Sequence, residues 1–276
     1  MGDRGAGPGA RHTSAGRFVA CLVAVALASS GCGAHLMKLP AGPGTPATDA
    51  QQAIAEATIA CQRVNTLTAE MRVTGSVGGE RVRGRMLVGA ARPASARLEA
   101  TAPFGAPLFI FVARDDEATL LLPRDDRVLE HGKPEEVLEA IAGVPLGPIE
   151  LRTTLTGCAQ APATSDARAI GDDWRIVRAG PAEIYLHRDP HAAMWRIVAD
   201  VRPAWRAEFR NFENDLPRTI RLHSPGTAQF DVTLALSQVD VNTPLGPDTF
   251  SVHVPPTARP ISLDELRHAR PGVRKN

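Results

Sequence analysis

The stretch at residues 67–88, LTAEMRVTGSVGGERVRGRMLV, decides the fold class. Met71 and Val73 in its first half, and Val82, Met86 and Val88 in its second, stand two or four residues apart, the period of a strand with one inward face. Gly78 and Gly79 between the halves supply a tight turn, so the stretch reads as a β-hairpin. Downstream, strands are predicted at residues 96–101, 108–113, 118–122 and near 127–130. Pro103-Phe104-Gly105, Arg114-Asp115-Asp116 and Arg124-Asp125-Asp126 separate them at the spacing of an antiparallel meander. A helix follows over 134–142, opened by Pro134, carrying Glu135 and Glu136 in its first turn and ending at Gly143. A second short helix runs over 148–156 before Gly157.

Strands resume at 174–177, 183–187, 194–201, 205–212, 219–222 and 229–239. A late strand at 249–254 precedes Pro255-Pro256 and a terminal helix that starts at Ser262. Upstream of the hairpin, Ile54, Ala57, Ala60, Cys61 and Val64 mark one apolar helix face over 49–64, with Thr48 and Asp49 as N-cap candidates. No repeat or long linker divides residues 49–276, which read as one domain. The class is α+β, mostly β: a single strongly curved antiparallel sheet with helices against its concave side. Such a layout can leave an apolar hollow under a helical lid, lined from Leu108, Ile110, Val112, Leu120, Leu122, Val137, Leu138, Ile141, Ile184 and Leu186. The alternative is that these side chains fill a solid core, which periodicity does not distinguish from a cavity.

The 276 residues carry 31 Lys+Arg against 30 Asp+Glu, with 43% hydrophobic and 22% charged residues. A near-neutral chain of that make-up can bury a core and is no nucleic-acid polycation. The 24 Gly and 23 Pro are spread along the chain, as many turns between short elements require. No apolar run reaches the roughly eighteen residues of a membrane-spanning helix.

Residues 1–31 read as a secretory signal. Arg4, Arg11 and Arg17 precede the apolar run FVACLVAVALA at 18–28. The ending Ser29-Ser30-Gly31-Cys32 resembles the lipobox of bacterial lipoproteins, which implies cleavage before Cys32 and acylation of that cysteine; Leu is commoner than Ser at position 29. An uncleaved anchor and a plain secreted protein are the alternatives. Gly33 in place of the Asp that tends to retain such proteins in the inner membrane points to the outer one. Cleavage removes three arginines and one aspartate and leaves a formal charge of −1. Two or three acyl chains then do the anchoring, at about 0.8 kcal/mol per buried CH₂. Residues 32–48, with Pro40, Pro43 and Pro46, read as a flexible tether.

Specific words can then be compared. LEATAPFG at 98–105, PEEVL at 134–138, GVPL at 143–146, Leu151-Arg152, Thr156-Gly157 and Leu216-Pro217 are similar to sequence of the LolA/LolB lipoprotein-localisation group. The tail around Phe250-Ser251-Val252 and Pro255-Pro256 looks more like its soluble carriers, and the order of elements carries the resemblance more than any one motif. It implies an open half-barrel whose apolar hollow takes acyl chains of lipoproteins handed over by a soluble periplasmic carrier. It also implies a membrane-insertion loop at Pro103, Phe104 and Gly105, with Phe104 as the exposed apolar tip; an ordinary turn with Phe104 folded inward is the other reading of those residues.

Cys61 and Cys158 remain besides Cys32 in the processed chain. In an oxidising compartment they could form a disulfide joining the first helix to the end of the helical insert, or stay as buried thiols. His187 and His191 flank Asp189-Pro190, a turn, so they lack helical metal-ligand spacing. The Asp115-Asp116 and Asp125-Asp126 pairs lack the spaced ligands of a calcium loop. No G-x-S-x-G, H-E-x-x-H, phosphate loop or C-x-x-C occurs. The expectation is therefore a monomeric lipid-anchored outer-membrane protein, with no enzyme activity, cofactor, metal or nucleic-acid partner, that accepts acylated lipoproteins and inserts them into the membrane. An envelope lipid- or glycolipid-binding or sensing lipoprotein is the alternative.

Overall fold

A computed structural model describes residues 1–2, 36–101, 106–159, 161, 166–190, 192–225 and 230–269. Met1–Lys38 and Leu39–Asn276 are separate compact units, and every described element lies in the second. The chain runs β1 (Thr45–Pro46), α1 (Ala50–Gln62), β2 (Thr66–Val77), β3 (Glu80–Ala91), β4 (Ser95–Thr101), β5 (Phe109–Arg114), β6 (Glu117–Leu122) and β7 (Arg127–Gly132). There follow α2 (Pro134–Ala142), α3 (Pro148–Thr156), β8 (Asp166–Ile170), β9 (Trp174–Ala179), β10 (Ala182–Arg188), β11 (Trp195–Val201) and β12 (Arg206–Glu213). Last come β13 (Leu216–His223), β14 (Phe230–Val241), a 3-10 turn (Pro247–Phe250), β15 (Arg259–Pro260) and α4 (Leu263–Ala269).

The hairpin is the middle of the sheet. β2 and β3 pair without a break from Thr66↔Ala91 to Val77↔Glu80. The order is β1-β8-β9-β10-β11-β12-β13-β14-β2-β3-β4-β5-β6-β7-β15, with different strands at the two ends, so the sheet is open. Pairing is antiparallel as expected, except that β15 runs parallel to β7, which makes the sheet mixed. Its curvature follows from what α3 touches. That helix contacts β3 and β4 and also β13, four strand spacings away from β4. In a flat sheet the gap would be about 19 Å, whereas a helix is about 10 Å across, so the sheet must curl around it.

Strand parity decides which residues the concave face receives. Leu67, Phe111, Leu120, Ile184, Ile197 and Ile220 are almost wholly inaccessible and join one continuous core with α1, α2 and α3. The helices start and stop where the sequence says. Pro134 and Pro148 open α2 and α3, and Gly143 and Gly157 end them with left-handed backbone. Gly143 also has no room for a side chain, since a Cβ there would lie 2.6 Å from Val77 Cγ1 at the hairpin tip. In α4 the Ser262 Oγ accepts from the Glu265 N–H while the Glu265 carboxylate accepts from the Ser262 N–H, a capping box.

Four local readings change. The strand predicted at 249–254 is instead the 3-10 turn Pro247–Phe250 and extended chain with no ladder. Arg97 occupies its carbonyls, donating to Thr249 O and Ser251 O at 3.3 and 2.9 Å. β8 lies outside the predicted strands, because the apolar positions of DARAI are mostly Ala, a weak strand former; its pairing with β9 forms it. Thr45–Pro46, inside the stretch read as tether, pairs with Ala169 and Arg168 of β8. Gly44 allows this approach, since a Cβ there would stand 2.5 Å from Ala169 O. Asp49 makes no side-chain cap on α1 and instead grips Arg175 with both oxygens at 2.7 and 2.9 Å, which holds its carboxyl below the usual carboxylate value.

The convex face carries ion pairs. Glu208, fully buried, lies between Arg206 and Arg210, and Arg168 and Arg178 share Glu183. Arg221 forks onto Asp231 at 2.8 and 2.7 Å and holds that carboxyl below its ordinary value. A carboxyl lowered on folding contributes stability that is present above the unfolded value near 3.9 and is lost as pH falls through the folded one. Asp231→Asn is therefore expected to cost about 0.5–1 kcal/mol at pH 7, with the gap to the parent closing below about pH 4. Urea unfolding at pH 7 and pH 3 checks this, and an equal gap at both would remove the ion pair as the cause.

Candidate functional site

Between the hairpin and the α2–α3 pair the concave face is not filled. A pocket of about 400 Å³ lies there. Met71 and Val73 of β2, Met86 of β3 and Leu98 of β4 form its floor, because strand parity turns them inward together. Leu138, Ile141 and Val144 close it from the helical side. The Gly143 to Val77 contact holds the hairpin tip against the end of α2, at one border of the pocket. Charge is confined to the border, where Arg81, Arg83, Arg85 and Glu139 stand.

Of the residues predicted to line a hollow, Leu108, Leu138 and Ile141 do so. Leu108 is also 37% exposed, with its N–H donated to Ala100 O at 2.9 Å. Leu120, Leu122, Val137, Ile184 and Leu186 belong to the core away from the pocket, at 2% exposure or less. Ile110 and Val112 have the opposite parity on β5 from Phe109, Phe111 and Ala113, which belong to the core cluster, so they face the convex side. The 3-10 turn packs on β4 and β5. Most of the floor was legible as an apolar hairpin face but not as a pocket. Its void depends on how α2 and α3 lie across the sheet, and no local residue pattern encodes that.

Cys61 and Cys158 form a disulfide with 5.6 Å between their Cα atoms, tying the last turn of α1 to the end of α3. Cys32 and the loop residues Pro103, Phe104 and Gly105 lie outside the described residues, as does His191. His187 rests on Trp174 with ring centroids 4.5 Å apart. Arg152 of α3 is buried, and burial, then the nearby Arg92 charge, lowers its guanidinium from the ordinary value.

No family model matches the sequence and no curated protein does. Among solved structures the chain is similar to a LolA superfamily protein of Nitrosomonas europaea, at 10% identity over 75% of this chain and 99% of that one, TM-score 0.49. It is similar to a putative outer membrane lipoprotein-sorting protein domain of Vibrio parahaemolyticus, at 13% identity over 73% and 97%, TM-score 0.45. A third is the lipoprotein LppX of Mycobacterium tuberculosis, at 15% identity over 72% and 99%, TM-score 0.33. Such identities and scores mark a distant likeness of form.

Proposed function

We propose that the protein binds acyl chains in the pocket between the hairpin and the α2–α3 pair, and that it does so as a lipid-anchored acceptor of acylated lipoproteins at the outer membrane. The observation that supports this most directly is an apolar pocket of about 400 Å³ whose charges stand only at its border. At the ~30 Å³ that a water-sized group occupies in a liquid, the pocket has room for at least roughly a dozen methylenes, the length of one acyl chain. Burying a dozen CH₂ groups is worth about 10 kcal/mol, and association costs about 4 kcal/mol or more. The surplus, about 6 kcal/mol at most, corresponds to a Kd of about 40 μM or weaker. A chain held that loosely leaves readily for a bilayer, where it is buried along its whole length, so transfer towards the membrane needs no bond chemistry and no nucleotide.

In this reading Cys32 carries the anchor, Phe104 is the apolar tip of the insertion loop, and the α2–α3 pair acts as a lid. The same pocket also suits a second reading, an envelope protein that keeps a lipid rather than passing on an acylated cargo, since its apolar lining serves a resident ligand equally well. The full-length chain with Cys32→Ser, which removes the acylation position, separates them. Mixed with a soluble carrier holding an acylated lipoprotein and with liposomes, it should take up cargo and release it to the vesicles, and Phe104→Glu should stop the release. Uptake without release in the parent protein leaves the binding reading alone. Failure to bind any acyl probe removes both.

A further inference from the structure

Resting on that reading, we propose a chemical class for the ligand: an amphiphile whose chain enters the pocket and whose phosphate-bearing head group is held at the rim by Arg81, Arg83 and Arg85. The three arginines alternate with Val82 and Gly84 on β3, so their Cα atoms repeat about 6.8 Å apart along one strand, and the parity that turns Val82 and Met86 inward sends their side chains off its convex side. Arg85 is the last β3 residue paired with β4, opposite Thr101, and beyond it β3 has no strand on that side among the described residues. The run Glu80 to Gly84, unpaired on that side among the described residues, is thus the lip of the pocket, and Arg81, Arg83 and Arg85 border the pocket around that edge from the convex side.

These arginines differ from those farther round the sheet. Arg168, Arg178, Arg206, Arg210 and Arg221 all have carboxylates, whereas Arg72, Arg81, Arg83 and Arg85 make no ion pair among the described residues. Arg72 and Arg85 stand directly opposite each other across β2 and β3, an arrangement that costs stability without an anion. On the same face Glu70 and Glu99 stand diagonal to Arg85, with Glu80 at the turn and Glu139 on the helical border; Glu99 pairs with Arg97, and none of these acids makes an ion pair with the stripe among the described residues. A phosphate accepts several charge-assisted hydrogen bonds at once, and guanidinium forks match it. Charge on an uncovered strand edge also deters edge-to-edge pairing, but that duty predicts no preference among ligands.

The test titrates the full-length Cys32→Ser chain with dodecyl phosphate, with neutral dodecyl maltoside and with inorganic phosphate, beside the variant Arg81→Gln/Arg83→Gln/Arg85→Gln. The parent should bind dodecyl phosphate about tenfold or more tightly than the maltoside. In the variant the two affinities should converge through loss on the phosphate side alone, with unchanged thermal unfolding showing that the fold is intact. Inorganic phosphate should bind far more weakly. A preference that survives in the variant overturns the rim assignment while maltoside binding still upholds the pocket. Inorganic phosphate binding as tightly as the amphiphile overturns it in favour of a free-anion site. A variant that loses only its attachment to phosphatidylglycerol vesicles overturns it in favour of a membrane contact. If neither dodecyl ligand binds the parent, the pocket reading fails and this one with it.

Discussion

Replacing both Cys61 and Cys158 by Ala is expected to lower stability by about 4–5 kcal/mol, a third or more of what a domain usually has. The bond joins positions 97 residues apart, so in the unfolded chain it closes a long loop, and its removal restores that chain's entropy. The two side chains are 2% and 3% exposed and sit in the core, where Ala leaves small voids and no unsatisfied polar group. For a chain of this size the loss corresponds to a drop in Tm of roughly 10–20 °C. Calorimetry of the double variant, and of the parent in dithiothreitol, should show the same drop; a parent indifferent to reductant and matching the variant would contradict the bond. There is a functional consequence. Because α3 is pinned to α1 at its C-terminal end, any opening of the pocket must come from α2 and the 143–147 connection.

Ala100→Trp is expected to reduce affinity for a dodecyl ligand at least tenfold while leaving the fold intact. Ala100 lies on β4 between Met86 of β3 and Phe109 of β5, and all three border the pocket. An indole there takes a large share of about 400 Å³ and displaces the chain that would otherwise be buried. Ala235→Trp, on the exposed convex face of β14, is the matched control and should bind as the parent does. Titration of the three proteins with dodecyl maltoside decides it: equal affinity for Ala100→Trp and the parent would place the acyl site elsewhere.

Much of the architecture was open to reading because local chemistry fixes it. Pro134, Gly143, Pro148 and Gly157 bracket two helices through backbone constraints that act within one turn, and Ser262 with Glu265 caps a third. The period of two over 67–88 and 108–122 assigned strands correctly, yet it was silent on which parity faces the core of β5. Ile110 and Val112 are as apolar as Phe109 and Phe111, and only the packing of α2 and α3 on one side, and of the 247–250 turn on the other, separates them. The strand expected at 249–254 failed for a similar reason. Its apolar residues suit a ladder, but the Arg97 guanidinium occupies its carbonyls.

The sequence by itself determined the class of fold, the hairpin, the helical insert and the chemistry available to the Cys61 and Cys158 pair, since each depends on neighbours a few residues away or on residue type alone. Tertiary structure decided the rest. The curl of the sheet around α3, the pocket that α2 and α3 leave open, and the gathering of Arg72 and Arg85 into one unneutralised stripe arise from strands brought together across the chain. A void and an electrostatic field are properties of the space between elements, and that space exists only once the sheet has curled around its helices.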